Sequence, residues 1–253
     1  MTTCITTFSN DGYELYGRKM IESWLEFWPK TFKLSIYTEG FDVDFKDDRL
    51  TILDLETACP NIKNFKQSSY DMHSHALSKK EKRRIEKTIK WCHKIYAMSH
   101  ALKFRDDYLI FLDGDTYTTA LIPETLPQNL VDTELFAVHF EILNGARHFE
   151  TGLIVFNLNH ERIYWLHEIL PSAYDSLEIY NMEKTWDGFW LAHLYELHNL
   201  PVKNLALEGR GVFGHRLIKG ILHHDVGTDK YLNAGYNKFT GKKHDSRKSM
   251  GNN

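Results

Sequence analysis

Cysteine is scarce in this chain, and no long apolar run occurs in it. Its 253 residues hold three cysteines, Cys4, Cys59 and Cys92, widely spaced and without any Cys-x-x-Cys pairing. An odd, scattered set argues against a disulfide framework and a thiolate zinc site, and fits a reducing compartment. No apolar stretch approaches the roughly 20 residues that span a bilayer. The opening Met1-Thr2-Thr3-Cys4-Ile5-Thr6-Thr7 has neither a basic start nor a long apolar segment. The expectation is therefore a soluble, cytoplasmic protein. Internal repeats are absent as well.

The hydrophobic share of 42% and the aromatic share of 13% are enough to fill the core of one large domain or two small ones. The net charge of -3 hides an uneven distribution. Between Lys79 and Lys94, eight Lys or Arg face only Glu81 and Glu86, a net +6; from Lys238 onward five face Asp245, a net +4; the remainder carries -13. Two basic segments on an acidic body read either as a solvated helix face plus a basic tail or as a docking place for an anionic partner, whether nucleic acid, phosphorylated glycan or membrane surface.

Strand and helix signals alternate along the chain. Cys4 to Phe8 reads as a strand, followed by the turn cluster Ser9-Asn10-Asp11-Gly12 and a helix from Tyr13 to Trp28 that Pro29 stops. Lys33 to Thr38 and Leu50 to Leu53 are further strands. Residues 57–80, polar and without clear period, read as a loop or insertion able to cover a site. Glu81 to Phe104 is a helix with Ile85, Ile89, Cys92 and Tyr96 on one stripe. Strands follow to Asp113, over Leu135 to Phe140 and over Gly152 to Leu158; helices fit Glu161 to Leu170 and Asp187 to His198, and a short strand fits Pro201 to Ala206. The pattern predicts an α/β fold with a mostly parallel central sheet flanked by helices, one domain over residues 1–232 and a basic, poorly ordered tail over 233–253.

Two segments carry chemistry. In Tyr108-Leu109-Ile110-Phe111-Leu112-Asp113-Gly114-Asp115-Thr116 an apolar run ends abruptly in two carboxylates. Residues i and i+2 of an extended segment point to one side, so Asp113 and Asp115 can converge on a hard cation that binds a diphosphate; Asp-Gly-Asp is also ordinary turn chemistry at a strand end. Far downstream, His224-Asp225-Val226-Gly227-Thr228-Asp229-Lys230 offers an imidazole, a glycine backbone able to approach closely, and a cation for phosphate oxygens. Alone, His224 would read as a surface or satisfied core histidine; the two segments together read as one site.

These residues carry a resemblance. The chain resembles glycosyltransferases of the GT-A (Rossmann-like nucleotide-diphospho-sugar transferase) fold, and in particular family 8, the glycogenin- and lipopolysaccharide-galactosyltransferase-like group. That family pairs an Asp-x-Asp at a strand end with a later His-x-x-Gly-x-x-Lys, and this chain shows both. The resemblance implies that Asp113, Asp115 and His224 ligate Mn2+ or Mg2+. It gives Gly114 to the donor site and has Gly227 and Lys230 hold the diphosphate of a nucleotide sugar, a UDP-sugar being the expected donor. Thr7-Phe8-Ser9-Asn10-Asp11-Gly12-Tyr13, with Ser23 ten residues later, is similar to the family's first strand and nucleoside-binding turn. This places Thr7, Asn10 and Tyr13 at the nucleoside, with Tyr13 stacked on the base. Lys94 resembles the basic residue that approaches the donor phosphates.

Two segments depart from the family pattern. Phe149-Glu150-Thr151-Gly152 has Glu150 where the family has an amide, and Trp186-Asp187-Gly188 keeps the acid but loses the amide after it. The usual Pro-Trp after the lysine is replaced by Tyr231-Leu232. The resemblance implies a hexosyl- or pentosyltransferase that retains configuration, with Asp187 and Glu150 as catalytic candidates. As carboxylates they fit a general base, a stabiliser of an oxocarbenium-like centre, or a partner for sugar hydroxyls. The acceptor is expected to be a glycan or, through the basic segment 79–94, a nucleic acid such as a hydroxymethylated DNA base. Trp186 and Trp190 are candidate sugar-stacking platforms or core residues.

Two other readings compete. Leu112-Asp113-Gly114-Asp115-Thr116 also resembles the nucleophile loop of haloacid-dehalogenase-type phosphohydrolases, although that loop normally lies near the N-terminus and needs a later acidic pair that this sequence does not offer. A domain that binds a nucleotide sugar without turning it over is the third.

Overall fold

The computed structural model describes residues 1–143, 146–208 and 212–225. The expected tail over 233–253, with Gly227 and Lys230, lies outside them.

Tyr108–Leu112 is apolar throughout because, as strand β4, it runs through the middle of a sheet covered on both faces. Its pleat sends Leu109 and Phe111 into one core and Ile110 and Leu112 into the other. The neighbouring strands divide in the same way: Ile5 of β1 (Thr2–Phe8) and Ile154 of β7 (Ala146–Asn157) join the first core, and Cys4 and Val155 the second. All three cysteines are buried and unpaired; burial lifts the Cys4, Cys59 and Cys92 thiols above their ordinary range, and they act as small apolar residues.

After β1 the chain turns through α1 (Asn10–Gly12) and a π-helical turn, Tyr13–Gly17, into α2 (Arg18–Phe27), then enters β2 (Lys33–Thr38) and β3 (Leu50–Asp54). Helices α3 (Leu55–Ala58), α4 (Asn61–His75) and α5 (Lys79–Ala101) lead to β4. Beyond β4 come β5 (Thr116–Thr118), α6 (Leu126–Val131), β6 (Phe136–Leu143) and β7, then α7 (Ile163–Ile169), α8 (Ser172–Asp175), α9 (Asp187–His198), β8 (Val202–Asn204) and β9 (Leu222–His224). The main sheet has the order β3-β2-β1-β4-β7-β6-β8. β7 pairs antiparallel with both neighbours and every other pairing is parallel. The expected α/β class with a mostly parallel sheet holds, and Asp187–His198 is helical over the expected residues.

The expectation for residues 57–80 is corrected: most of that span is helix α4. Ile62, Phe65 and Ser69 lie at helical spacing and are buried. So narrow a stripe, set among polar residues, carries little periodic signal. α5 starts on a capping box, in which the Ser78 hydroxyl accepts from the Glu81 amide at 3.1 Å and the Glu81 carboxylate accepts from the Leu77 amide at 3.3 Å.

β1 runs on to β2 on one side of the sheet and pairs with β4 on the other, so strand order reverses there. In open α/β sheets the crevice beyond the carboxyl ends of strands at such a reversal is where ligands bind.

Candidate active site

At the β1/β4 reversal a cleft of about 570 Å3 opens, lined by Thr7, Tyr16, Trp91, Lys94, Asp113 and Asp115 among others. Asp113 leaves β4 with its amide donating to the Gly152 carbonyl of β7 at 3.0 Å. The chain then turns: the Thr116 amide donates to the Asp113 carbonyl at 3.0 Å and the Thr116 hydroxyl to the same oxygen at 2.8 Å. Asp113 and Asp115 therefore face one another across a tight turn and not along an extended strand, which corrects the expected geometry. Gly114 is required by close approach, since a Cβ there would lie 2.8 Å from the Phe8 ring and 3.0 Å from the Thr7 carbonyl.

His224 arrives from β9. The antiparallel pairing of β5 with β9 sets Thr116 opposite His224, and the Asp225 amide donates to the Asp115 carbonyl at 3.0 Å. This two-stranded ribbon is tied to α2. The Trp28 indole donates to the Thr118 hydroxyl at 2.8 Å, and the Lys19 ammonium sits 3.2 Å from the centre of the Tyr117 ring. The Phe213 ring packs 5.1 Å from the imidazole.

As a result His224 Nε2 lies 2.8 Å from Asp115 Oδ1 and 3.8 Å from Asp113 Oδ2. One donor atom from each of the three residues falls within 4.8 Å of the others. Two carboxylates and an imidazole converging at this spacing form a donor set able to hold a divalent metal ion. Burial opposes protonation of His224, but the hydrogen bond and charge of Asp115, with Asp113 and Glu150, outweigh it and raise the imidazole's pKa.

Lys94 reaches the acids from α5. Its ammonium donates to Asp113 Oδ2 at 2.7 Å and stands 3.6 Å from Asp187 Oδ2. Burial disfavours its charge, yet Asp113 and Asp187 hold its pKa above the ordinary lysine range. Asp187 opens α9, 4% exposed, and accepts from the Thr151 hydroxyl at 2.7 Å. Gly188 lets α9 press against β7, because a Cβ there would fall 2.0 Å from the Phe149 carbonyl oxygen.

On the same stretch of β7, Glu150 Oε1 accepts from the Gly152 amide at 2.8 Å. Oε2 is buried with no hydrogen-bond partner among the described residues. Burial pushes the carboxyl up to about 7; Asp113 adds to the rise, while His224, the Gly152 amide and Lys94 oppose it.

Seven sequence-predicted residues thus gather around one crevice: Lys94, Asp113, Gly114, Asp115, Glu150, Asp187 and His224. Thr7 lines it as well, and Asn10 is exposed on the first turn after β1. Tyr13 departs from expectation. Its ring is 2% exposed, packed by Phe8, Phe41 and the Arg18 guanidinium, and its hydroxyl donates to Asp44. It therefore presents no face for a base, whereas Tyr16 does line the cleft. Ser23 serves the ribbon by accepting from the Thr118 amide at 3.1 Å. Trp190 is core, donating to the Leu170 carbonyl at 2.7 Å, while Trp186 is partly exposed.

No family model and no curated protein matches the sequence. Among solved structures, the chain is similar to mouse xyloside xylosyltransferase 1 in its apo form, at 13% identity and a TM-score of 0.51, over 81% of this chain and 85% of that one. It is also similar to the apo structure of WbbM, a bifunctional glycosyltransferase, at 14% identity and a TM-score of 0.45, over 82% of this chain and 39% of that one. The first likeness shows that the α/β fold of this chain is the fold of that xylosyltransferase structure.

Proposed function

We propose that this protein is a metal-dependent glycosyltransferase related to family 8. In this reading it moves a hexosyl or pentosyl group from a nucleoside-diphosphate sugar, a UDP-sugar being the preferred candidate, to a glycan hydroxyl with retained configuration. The observation that carries the reading is the convergence of Asp113, Asp115 and His224 at the mouth of the β1/β4 crevice. The similarity to a glycosyltransferase structure supports it at the level of fold. A phosphohydrolase would need a second acidic pair, and here the third member of the cluster is an imidazole.

Asp113, Asp115 and His224 would hold the divalent ion, which when bound supplies Lewis-acid stabilisation to a departing diphosphate. Lys94 fixes the Asp113 carboxylate and adds positive charge at the same place. Asp187, held by Thr151 and Lys94, sets a negative charge where an oxocarbenium-like centre would develop. Glu150 offers its unpartnered oxygen to a sugar hydroxyl, and near neutral pH it can donate as well as accept. Gly227 and Lys230 are proposed to complete the diphosphate grip.

The test is a thermal-shift screen of nucleoside diphosphates and nucleotide sugars with and without Mn2+, followed by donor hydrolysis. A ligand at 100 times its Kd adds about 2.7 kcal/mol of stability. The expected result is metal-dependent stabilisation by one nucleoside diphosphate and slow hydrolysis of its sugar conjugate. Tight donor binding without metal or turnover would instead make the protein a binding domain.

A further inference from the structure

Along the outer side of α5 a second groove, about 690 Å3 in volume, runs between the helix and residues 183–186. Its charge is lopsided. Lys80, Arg83 and Lys87 line it, are exposed, and have no ion-pair partner among the described residues. The acids of the groove are occupied: Glu81 caps α5, and Glu183 pairs with Lys184 at 3.1 Å. The opposite wall is held in place by Arg84, whose guanidinium donates to the Tyr180 and Met182 carbonyls at 2.9 and 2.6 Å. Cations without an ion-pair partner among the described residues on one side, Lys87 lying 5.8 Å from the centre of the Trp91 ring, and a pinned wall on the other make a built recess, unlike a helix face that is merely solvated.

The inner end of the groove is aromatic. Trp91 and Trp186 meet edge to face at 6.0 Å, and both are partly exposed. Trp186 immediately precedes Asp187, while Trp91 lies one helical turn before Lys94 and also lines the β1/β4 cleft. The two cavities therefore share a wall. Lys80, Arg83, Lys87, Trp91 and Lys94 fall at steps of three and four along α5, one continuous stripe. At 1.5 Å of rise per residue, Lys87 stands roughly 10 Å along the axis from Lys94, the reach of a short oligosaccharide.

We propose that this groove is the acceptor subsite and that the acceptor is an anionic oligosaccharide. A sugar ring would stack on Trp91 and Trp186 beside Asp187, and a carboxylate or phosphate on the following units would be read by Lys87, Arg83 and Lys80. The proposal rests on the glycosyltransferase reading for the word acceptor, though the groove's ligand chemistry does not depend on it. Aromatic faces suit the apolar side of a pyranose, and an Arg–Lys stripe suits regularly spaced anions.

The test is a binding titration of the full chain, read by tryptophan fluorescence and calorimetry, and it does not rely on transfer. The probes are an oligogalacturonide, its carboxyl-reduced counterpart, a phosphorylated manno-oligosaccharide and a single-stranded oligothymidylate. The expected result is binding of at least one anionic saccharide that weakens with salt. The carboxyl-reduced probe should bind at least about tenfold more weakly than the oligogalacturonide if carboxylates are read, and a similar loss is expected for the Arg83→Glu, Lys87→Glu double variant, as removal of two charge-assisted contacts requires. Unchanged unfolding temperature of that variant would show that it folds. Trp91→Ala is the second variant and should weaken charged and neutral saccharides alike. Equal affinity for the charged and reduced probes without phosphosaccharide binding, or no binding of either anionic saccharide, would overturn the proposal. Tighter binding of the oligothymidylate, lost in the double variant, would overturn it in favour of a nucleic-acid acceptor. If metal-dependent donor hydrolysis is present while these saccharide tests fail, the acceptor inference falls and the enzyme assignment stands.

Discussion

The ammonium of Lys94 lies 2.7 Å from the Asp113 carboxylate, so one of the two carboxylates of the Asp113, Asp115 and His224 cluster already carries the counter-charge of a residue on α5. Replacing Lys94 by Met leaves Asp113 and Asp187 facing each other without their shared cation. The metal-free variant should lose about 2 kcal/mol in urea unfolding, the scale of a charge-assisted hydrogen bond in a partly buried place. Added Mn2+ should restore more stability to Lys94→Met than to the wild type, because the ion replaces the missing positive charge. Equal metal-induced gains in both proteins would disprove that coupling.

The imidazole of His224 must shed its proton to ligate an ion, and its pKa is raised, so Mn2+ affinity should climb through and above neutral pH, by up to about tenfold per unit while His224 is mostly protonated. Metal-free stability should move the other way. A histidine with a raised folded pKa contributes stability that is complete below about 6.5, its unfolded value, and is lost as pH rises through the folded value. Stability measured in chelator should therefore fall over the range in which metal affinity rises. His224→Ala should flatten the affinity slope and remove the His224 share of the stability slope, leaving the share that Glu150 contributes below about pH 7; calorimetric Mn2+ titrations and urea unfolding in chelator from pH 6 to 8.5 would check it.

Much of this site is legible in the sequence, and the misses have local causes. The apolar run ending in Asp113-Gly114-Asp115 and the downstream His224 stand out because few other arrangements put carboxylates at the end of a doubly buried strand. The facing of the two acids is not legible, since strand and turn differ only in a few backbone angles around Gly114. β5 and β9 are three residues each, too short for periodicity to register, so the ribbon that delivers His224 is invisible beforehand. Tyr13 is expected at the base because it ends the motif that carries the resemblance, and a motif does not register packing: Phe8 and Phe41 cover its ring and Asp44 takes its hydroxyl, contacts made by residues up to 31 positions away.

Glu150 provides a prediction that separates burial from chemistry. A carboxyl raised from 4.5 to about 7 is neutral in the fold where the unfolded chain would ionise it. Its contribution is therefore complete below about 4.5 and is lost as pH rises toward 7. Glu150→Gln keeps an acceptor for the Gly152 amide and removes the titration. In chelator the variant should match the wild type near pH 4 and exceed it above pH 7, by up to about 3 kcal/mol. Parallel stability curves for the two proteins across that window would show that Glu150 is not held neutral. If Glu150 binds a donor hydroxyl, the same variant should also change the preference among nucleotide sugars.

Gly188 tests whether the placement of Asp187 is a packing problem. The position where its Cβ would stand is 2.0 Å from the Phe149 carbonyl oxygen, a backbone atom inside the longest strand of the sheet. Gly188→Ala must therefore push the start of α9 away from β7, drawing Asp187 from the Thr151 hydroxyl that holds it at 2.7 Å. A loss of about 2 kcal/mol or more is expected from such overpacking, together with a fall in kcat larger than the change in donor KM. Gly152→Ala is the control for stability alone: its Cβ would meet the Phe213 ring and the Glu150 carboxylate at 2.9 Å, side-chain atoms and not backbone, so its stability loss should be smaller. If Gly188→Ala loses no more stability than Gly152→Ala and keeps the kcat of the wild type, the close approach of α9 to β7 is not what positions Asp187.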